Sequence, residues 1–188
     1  MKAAHPTATV TLWAEDEHRL GLLPVVRRVW APKGQRPTAH VQRQYEWLYV
    51  YGFVRPSTGQ SWWCLLPTVT VPAMTLALAT FARDERIDAT HRAVLVLDQA
   101  GGHISPRLVV PQGIDLVFLP SYSPELQPAE RLWTLVDEPV ANQAFPDLVA
   151  LESVLVDRCR ILEADPQRLQ AHTHYHWWPP EPSPGLRQ

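Results

Sequence analysis

Seven residues near the middle of the chain constrain its fold more than any others. Arg92 to Asp98 reads RAVLVLD, a continuous apolar run closed by an acid. Without polar alternation such a run is a strand buried on both faces, with its aspartate at the C-terminal end. The flanking patterns supply partners and cover. Thr7 to Ala14 (TATVTLWA) alternates Val10 and Leu12 with Thr9 and Thr11 and ends in Glu15-Asp16-Glu17, so a first strand also delivers carboxylates at its C-terminal end. Glu46 to Val54 and Ser61 to Pro67 are aromatic and β-branched and are separated by Pro56-Ser57-Thr58-Gly59, which predicts a hairpin. Pro72 to Arg86 switches to helical spacing, with Met74, Leu78, Phe81 and Ala82 on one face.

The second half continues the pattern. A Gly-rich turn from Gln99 to His103 and a short Pro-bounded helix lead to a strand from Ile114 to Leu119. Pro128 then opens a helix that carries Glu130 in its first turn and that Pro139 should end or kink. A last helix runs from about Pro146 to Leu162, and residues 165–188 are expected to form an irregular tail. The implied fold class is α/β: a mixed five-stranded sheet flanked by helices, in one domain over residues 1–164. With 188 residues, 46% hydrophobic and 19% charged, the chain can bury one real core, and 19 prolines keep its elements short.

Several functional classes drop out. No apolar run is long enough to span a bilayer, and MKAAHPTATV lacks the apolar centre of a signal peptide. No membrane partner is expected, and a cytoplasmic, nucleoid-associated protein is. Cys64 and Cys159 are isolated thiols without metal-binding spacing and read as small buried hydrophobes. His172, His174 and His176 alternate and would share one face of a strand, but no cysteine or acid completes a metal site, so they read as part of a polar tail.

Three acids stand at element ends: Asp16 after the first strand, Asp98 after the fourth and Glu130 in the first turn of a late helix. Singly, each reads as a solvated cap or a partner of a helix dipole. Together they read differently. If strands one and four lie side by side, Asp16 and Asp98 come within reach of one ion and Glu130 can close the site. Clustered carboxylates repel unless a cation neutralises them, and all-oxygen ligands favour Mg²⁺ or Mn²⁺. Two such ions about 4 Å apart suit in-line attack on a phosphodiester, one activating the nucleophile and the other stabilising the leaving oxygen.

The segments AEDEHRLGLLPVVRRVWAPKGQRP, VLVLDQAGGH and LVFLPSYSPELQPAERLW carry the chemistry in order, and with them the chain resembles the DDE transposases of the mariner-like superfamily, in its bacterial insertion-sequence branch. The resemblance runs from about Thr9 to Leu162. It implies a ribonuclease H-like fold and Mg²⁺-dependent cleavage of DNA at element ends, followed by strand transfer into target DNA. Asp16, Asp98 and Glu130 match the three catalytic, metal-ligating acids, the last two 32 positions apart. It further implies two Mg²⁺ (or Mn²⁺) ions, a homodimer on double-stranded DNA, and a separate or in-frame helix-turn-helix module, since nothing before Thr9 could form it. Many relatives carry Asn where this chain has Gln99 and Gln127. Gln caps a helix less well than Asn, so a looser start is expected for the helix holding Glu130.

Although the formal net charge is −2, no acid occurs from His18 to Tyr45, where Arg19, Arg27, Arg28, Lys33, Arg36 and Arg43 lie. Beside Asp16 this stretch is expected to contact the DNA backbone. Trp30 within it could stack on an unpaired base, while Trp62 and Trp63 read as sheet packing. His103, five residues after Asp98, would contact a phosphate or steady its loop. The functional expectation is a transposase catalytic domain. The alternative is a catalytically inactive or domesticated remnant that serves as a DNA-binding or dimerisation module; another ribonuclease H-like nuclease, such as a resolvase, fits the PSYSPELQPAERLW block less well.

Overall fold

The computed structural model describes residues 7–35, 44–121 and 123–179. Five strands, β1 (Thr9–Gly21), β2 (Trp47–Arg55), β3 (Gln60–Leu66), β4 (His91–Leu97) and β5 (Ile114–Phe118), form one sheet in the order β3-β2-β1-β4-β5. The hairpin strands pair antiparallel with each other and with β1, while β1–β4 and β4–β5 are parallel. The sheet is therefore mixed, and β1 and β4 are neighbours as expected.

Helices cover both faces, as the unbroken apolar run of β4 requires. On one side, α1 (Val71–Asp84) presents Ala73, Met74, Ala77, Leu78, Phe81 and Ala82 to Trp13, Tyr51, Phe53, Trp62, Leu95 and Leu97. Phe81 stacks on Phe53 at 4.5 Å and meets Trp13 edge-on at 5.1 Å. Each large side chain buried there contributes about 1.5–3 kcal/mol. Thr70 caps the helix, its Oγ1 accepting from the Ala73 amide at 3.4 Å. On the other side, α2 (Glu130–Val136), α3 (Leu148–Glu163) and α4 (Pro166–Thr173) pack on Ala14, Leu20, Val50, Val54 and Val96. Among the described residues no helix is long and apolar enough to cross a membrane.

Three elements differ from the sequence reading. β1 does not stop at Ala14: its pairing with β4 ends there, at Ala14–Val96, but pairing with β2 continues to Gly21–Trp47 and carries the acidic triplet inside the strand. No helix lies between β4 and β5, where the chain makes only turns; a one-turn 3-10 helix, Pro124–Leu126, follows β5 instead. Residues 166–179 are not simply irregular. Asp165 caps α4, accepting from the Arg168 amide at 3.1 Å, with Pro166 in the first turn. Leu169 and Trp178 are buried in the core. His172 lies in this helix while His174 and His176 follow it, so no strand aligns the three. Both cysteines are free, Cys159 buried and Cys64 half-buried.

Candidate active site

The strand period of two splits the acidic triplet between faces. Asp16, in phase with Ala14, points toward α2; Glu15 and Glu17, in phase with Trp13, point to the α1 face. Asp98 follows β4 directly, at the C-terminal edge where the β1–β4 pairing ends. Glu130 begins α2. These three acids line one cleft of about 410 Å³, together with Gln99, Ser121, Ser123 and Gln127. Two strands and a helix thus bring the three acids to the lining of one cleft.

Asp16 is held from several directions. Its Oδ2 accepts from Trp133 Nε1 at 2.7 Å. The indole stacks on His18 at 4.9 Å and meets Trp63 at 6.5 Å. Gly52, the cross-strand partner of Asp16, leaves room for it: a Cβ there would lie 2.8 Å from Trp133 Cη2 and 3.1 Å from Trp63 Cζ3. Asp98 Oδ1 accepts from the Ala100 amide at 2.8 Å and meets His103 Nδ1 at 2.8 Å.

The start of α2 follows different rules from those expected. Ala129 occupies the cap position with no side-chain bond, and Gln127 is not a weak substitute cap. Its buried amide spans two elements, Nε2 donating to the Glu15 carbonyl at 2.9 Å and Oε1 accepting from the Ala129 amide at 3.4 Å. Gln127 therefore pins the helix bearing Glu130 to the strand bearing Asp16, and its extra methylene provides the reach. Gln99 does similar work nearby, donating from Nε2 to the Leu119 carbonyl at 2.8 Å and accepting at Oε1 from Ser121 Oγ at 3.3 Å.

The electrostatics of the cleft would be relieved by a cation. Burial pushes the Asp16 carboxyl up to about 7; Trp133 pulls the other way, but the charges of Glu17 and Glu130 reinforce the rise. Glu130 is also raised, by desolvation and by the charges of Asp98 and Glu125. Acids that raise one another in this way gain most from a bound cation. An oxygen-rich donor set on an open cleft fits Mg²⁺ or Mn²⁺.

The basic stretch is divided. Arg28, Lys33 and Trp30 are exposed. Arg19 is exposed and lies over the Trp47 ring at 4.6 Å. Arg27 is instead committed to the fold: Nη2 donates to Asp137 Oδ2 at 3.2 Å and to the Thr134 carbonyl at 3.0 Å. Asn142 brackets its backbone, accepting from the Arg27 amide at 3.0 Å and donating to its carbonyl at 3.1 Å. Arg36 and Arg43 lie outside the described residues. His103 offers no surface to a phosphate, since it is buried with Nδ1 on Asp98 and Nε2 3.0 Å from Glu17 Oε1. Burial opposes its charge, but the hydrogen bond and charge of Glu17, with Asp98, push its pKa up to about 9.

Three residues escaped sequence reasoning. Trp133 lies three positions after Glu130, and that i, i+3 spacing on a helix opening beside an acid was the available signal. Glu17 and Asp137 carried none, because their roles depend on partners distant in sequence, His103 and Arg27.

Known proteins share this fold. Mos1 mariner paired-end complex with Mn superposes with a TM-score of 0.58 at 16% identity, over 88% of this chain and 56% of that one. The Mos1 strand transfer complex gives 0.56 at 16% identity, over 88% and 55%. The chain thus spans just over half the length of these solved chains, and the likeness establishes a ribonuclease H-like fold. An uncharacterized protein, y4pE/y4sA of Sinorhizobium fredii (strain NBRC 101917 / NGR234), is 42% identical over 102 residues, 54% of this chain and 74% of that protein. The profile of the family described as DDE superfamily endonuclease matches residues 11–152. That match takes in β1 through the start of α3 and all three acids of the cleft, and the chain belongs to the DDE superfamily of endonucleases.

Proposed function

We propose that this chain is the catalytic domain of a transposase, cutting DNA at element ends and joining the freed 3′ end to target DNA. The observation that carries the reading is the convergence of Asp16, Asp98 and Glu130 on one cleft at the C-terminal edge of β1 and β4. In this reading the three acids hold two Mg²⁺ or Mn²⁺ ions, which when bound would polarise the scissile phosphate and favour attack by water and then by the 3′-hydroxyl. Trp133 orients Asp16, His103 and the Ala100 amide orient Asp98, and Gln127 fixes the start of the helix that carries Glu130. Arg19, Arg28 and Lys33, with Arg36 and Arg43, neutralise the DNA backbone, while Arg27 orders the 22–35 segment. A homodimer working with a helix-turn-helix module, separate or in frame, completes the machine; the Mos1 structures are of paired-end and strand-transfer complexes. The protein works in the cytoplasm, on the nucleoid.

The test is cleavage of a labelled duplex carrying the element's ends, with Mg²⁺ or Mn²⁺ and the helix-turn-helix module supplied. The chain is expected to cut, and Glu130→Gln to cut at least a hundredfold more slowly. Equal rates in both would overturn the assignment.

A further inference from the structure

Behind the cleft, on the α1 face of β1, lies a second group of ligating side chains, of which His103 alone reaches the cleft, through its contact with Asp98. Glu15 is fully buried and neither of its carboxylate oxygens has a hydrogen-bond partner. A buried carboxylate in that condition calls for a counter-charge. Glu17 and His103 face it: His103 Nε2 lies 3.9 Å from Glu15 Oε2 and 3.0 Å from Glu17 Oε1. One ligand atom from each of the three residues falls within 4.8 Å of the others.

We propose that Glu15, Glu17 and His103 form a buried structural site for a divalent transition ion, best suited to Zn²⁺, distinct from the ions of the cleft. Ligand–metal distances near 2.0–2.2 Å place neighbouring ligands about 3–4 Å apart, and both separations from His103 Nε2 fall in that range. The two glutamate carboxylates balance the ion's two positive charges. An imidazole beside two carboxylates suits Zn²⁺, with one water to complete four-coordination, or Mn²⁺, whereas Mg²⁺ favours all-oxygen ligands and keeps several waters. With Nε2 on the ion, the ring proton must sit on Nδ1, where it donates to Asp98 Oδ1 at 2.8 Å. The buried ion thereby fixes the rotamer of an acid that lines the cleft.

The test uses the full chain with Asp16→Asn and Glu130→Gln, which disable the cleft, stripped with a chelator and titrated calorimetrically with Zn²⁺ alone. One equivalent is expected to bind and to raise the melting temperature. Glu15→Gln in the same background keeps the side-chain volume and is expected to weaken Zn²⁺ at least tenfold and abolish the melting shift. If Glu15→Gln does not fold, as judged by circular dichroism, Glu17→Gln at a half-buried position decides with the same expectation. Absence of Zn²⁺ binding in the cleft-disabled chain, or unchanged affinity in the folded glutamate variant, would overturn the proposal. Neither result depends on DNA cleavage, so the site stands or falls separately from the proposed transposase activity.

Discussion

At the residue scale the cleft holds Asp16 and Glu130 in surroundings that a cation would relieve. Asp16 illustrates the trade. Its pKa rises from 3.8 to about 7 in the metal-free protein, so folding binds its proton more tightly than the unfolded chain does. That stabilising contribution is fully present below about pH 3.8 and is lost as pH rises through about 7. Metal-free protein is therefore expected to lose roughly 2–4 kcal/mol of unfolding free energy between pH 4 and 8 from this group, measured by urea denaturation. Asp16→Asn should reduce that slope and stabilise the metal-free protein at pH 8. Mg²⁺ should stabilise the parent at pH 8 and leave the variant little changed. Trp133 acts on the same carboxylate. Trp133→Phe removes the 2.7 Å hydrogen bond, and a bond to a charged group is worth about 1.5–3 kcal/mol, so Mn²⁺ affinity measured by calorimetry is expected to fall at least tenfold.

At the element scale the site depends on β1 outrunning its parallel partner. Beyond Ala14 the strand has only β2 beside it, which frees one edge for the Asp98 loop and for Gln127. Gly52 is the critical position on β2, because any side chain there meets Trp133. Gly52→Ala is expected to cost about 1–3 kcal/mol by overpacking and to slow cleavage as Trp133 shifts, checked by urea denaturation alongside the cleavage assay. The hairpin turn makes a comparable demand at Gly59, whose φ is +75° and whose Cβ would lie 1.7 Å from the Pro166 carbonyl. The turn thus locks onto α4, and truncating the chain at residue 165 should uncover core around Leu155 and Cys159 and lower the melting temperature by several degrees. The sequence was least informative in these places. An acidic triplet looks like a strand end, because nothing local reveals that Glu15 is covered by His103. Asp165-Pro166 was a legible cap and first turn, yet the prolines that follow masked it. By contrast the apolar run of β4, the stripe of α1 and the acids at Asp98 and Glu130 were legible, since period and punctuation encode them locally.

At the scale of the whole molecule the net charge of −2 hides a segregation. Acids gather at the C-terminal edge of the central strands, while Arg19, Arg28 and Lys33 are exposed on the adjoining segment. Arg27 was indistinguishable in sequence from its neighbours, and only partners distant in the chain, Thr134, Asp137 and Asn142, assign it to the fold. Binding of DNA by the metal-free chain is accordingly expected to weaken steeply with salt. Lys33→Ala should reduce that dependence, and Arg27→Ala should lower the melting temperature as well. The central claim remains that Asp16, Asp98 and Glu130 act together on a phosphodiester. Its most direct measurement is the single-turnover rate of strand cleavage at an element end in Mn²⁺, comparing the chain with Asp98→Asn, a change that keeps the side chain's shape. A loss of at least a hundredfold in rate, with the fold and the affinity for DNA retained, is the expected result. Cleavage at the parent rate by Asp98→Asn would contradict the account.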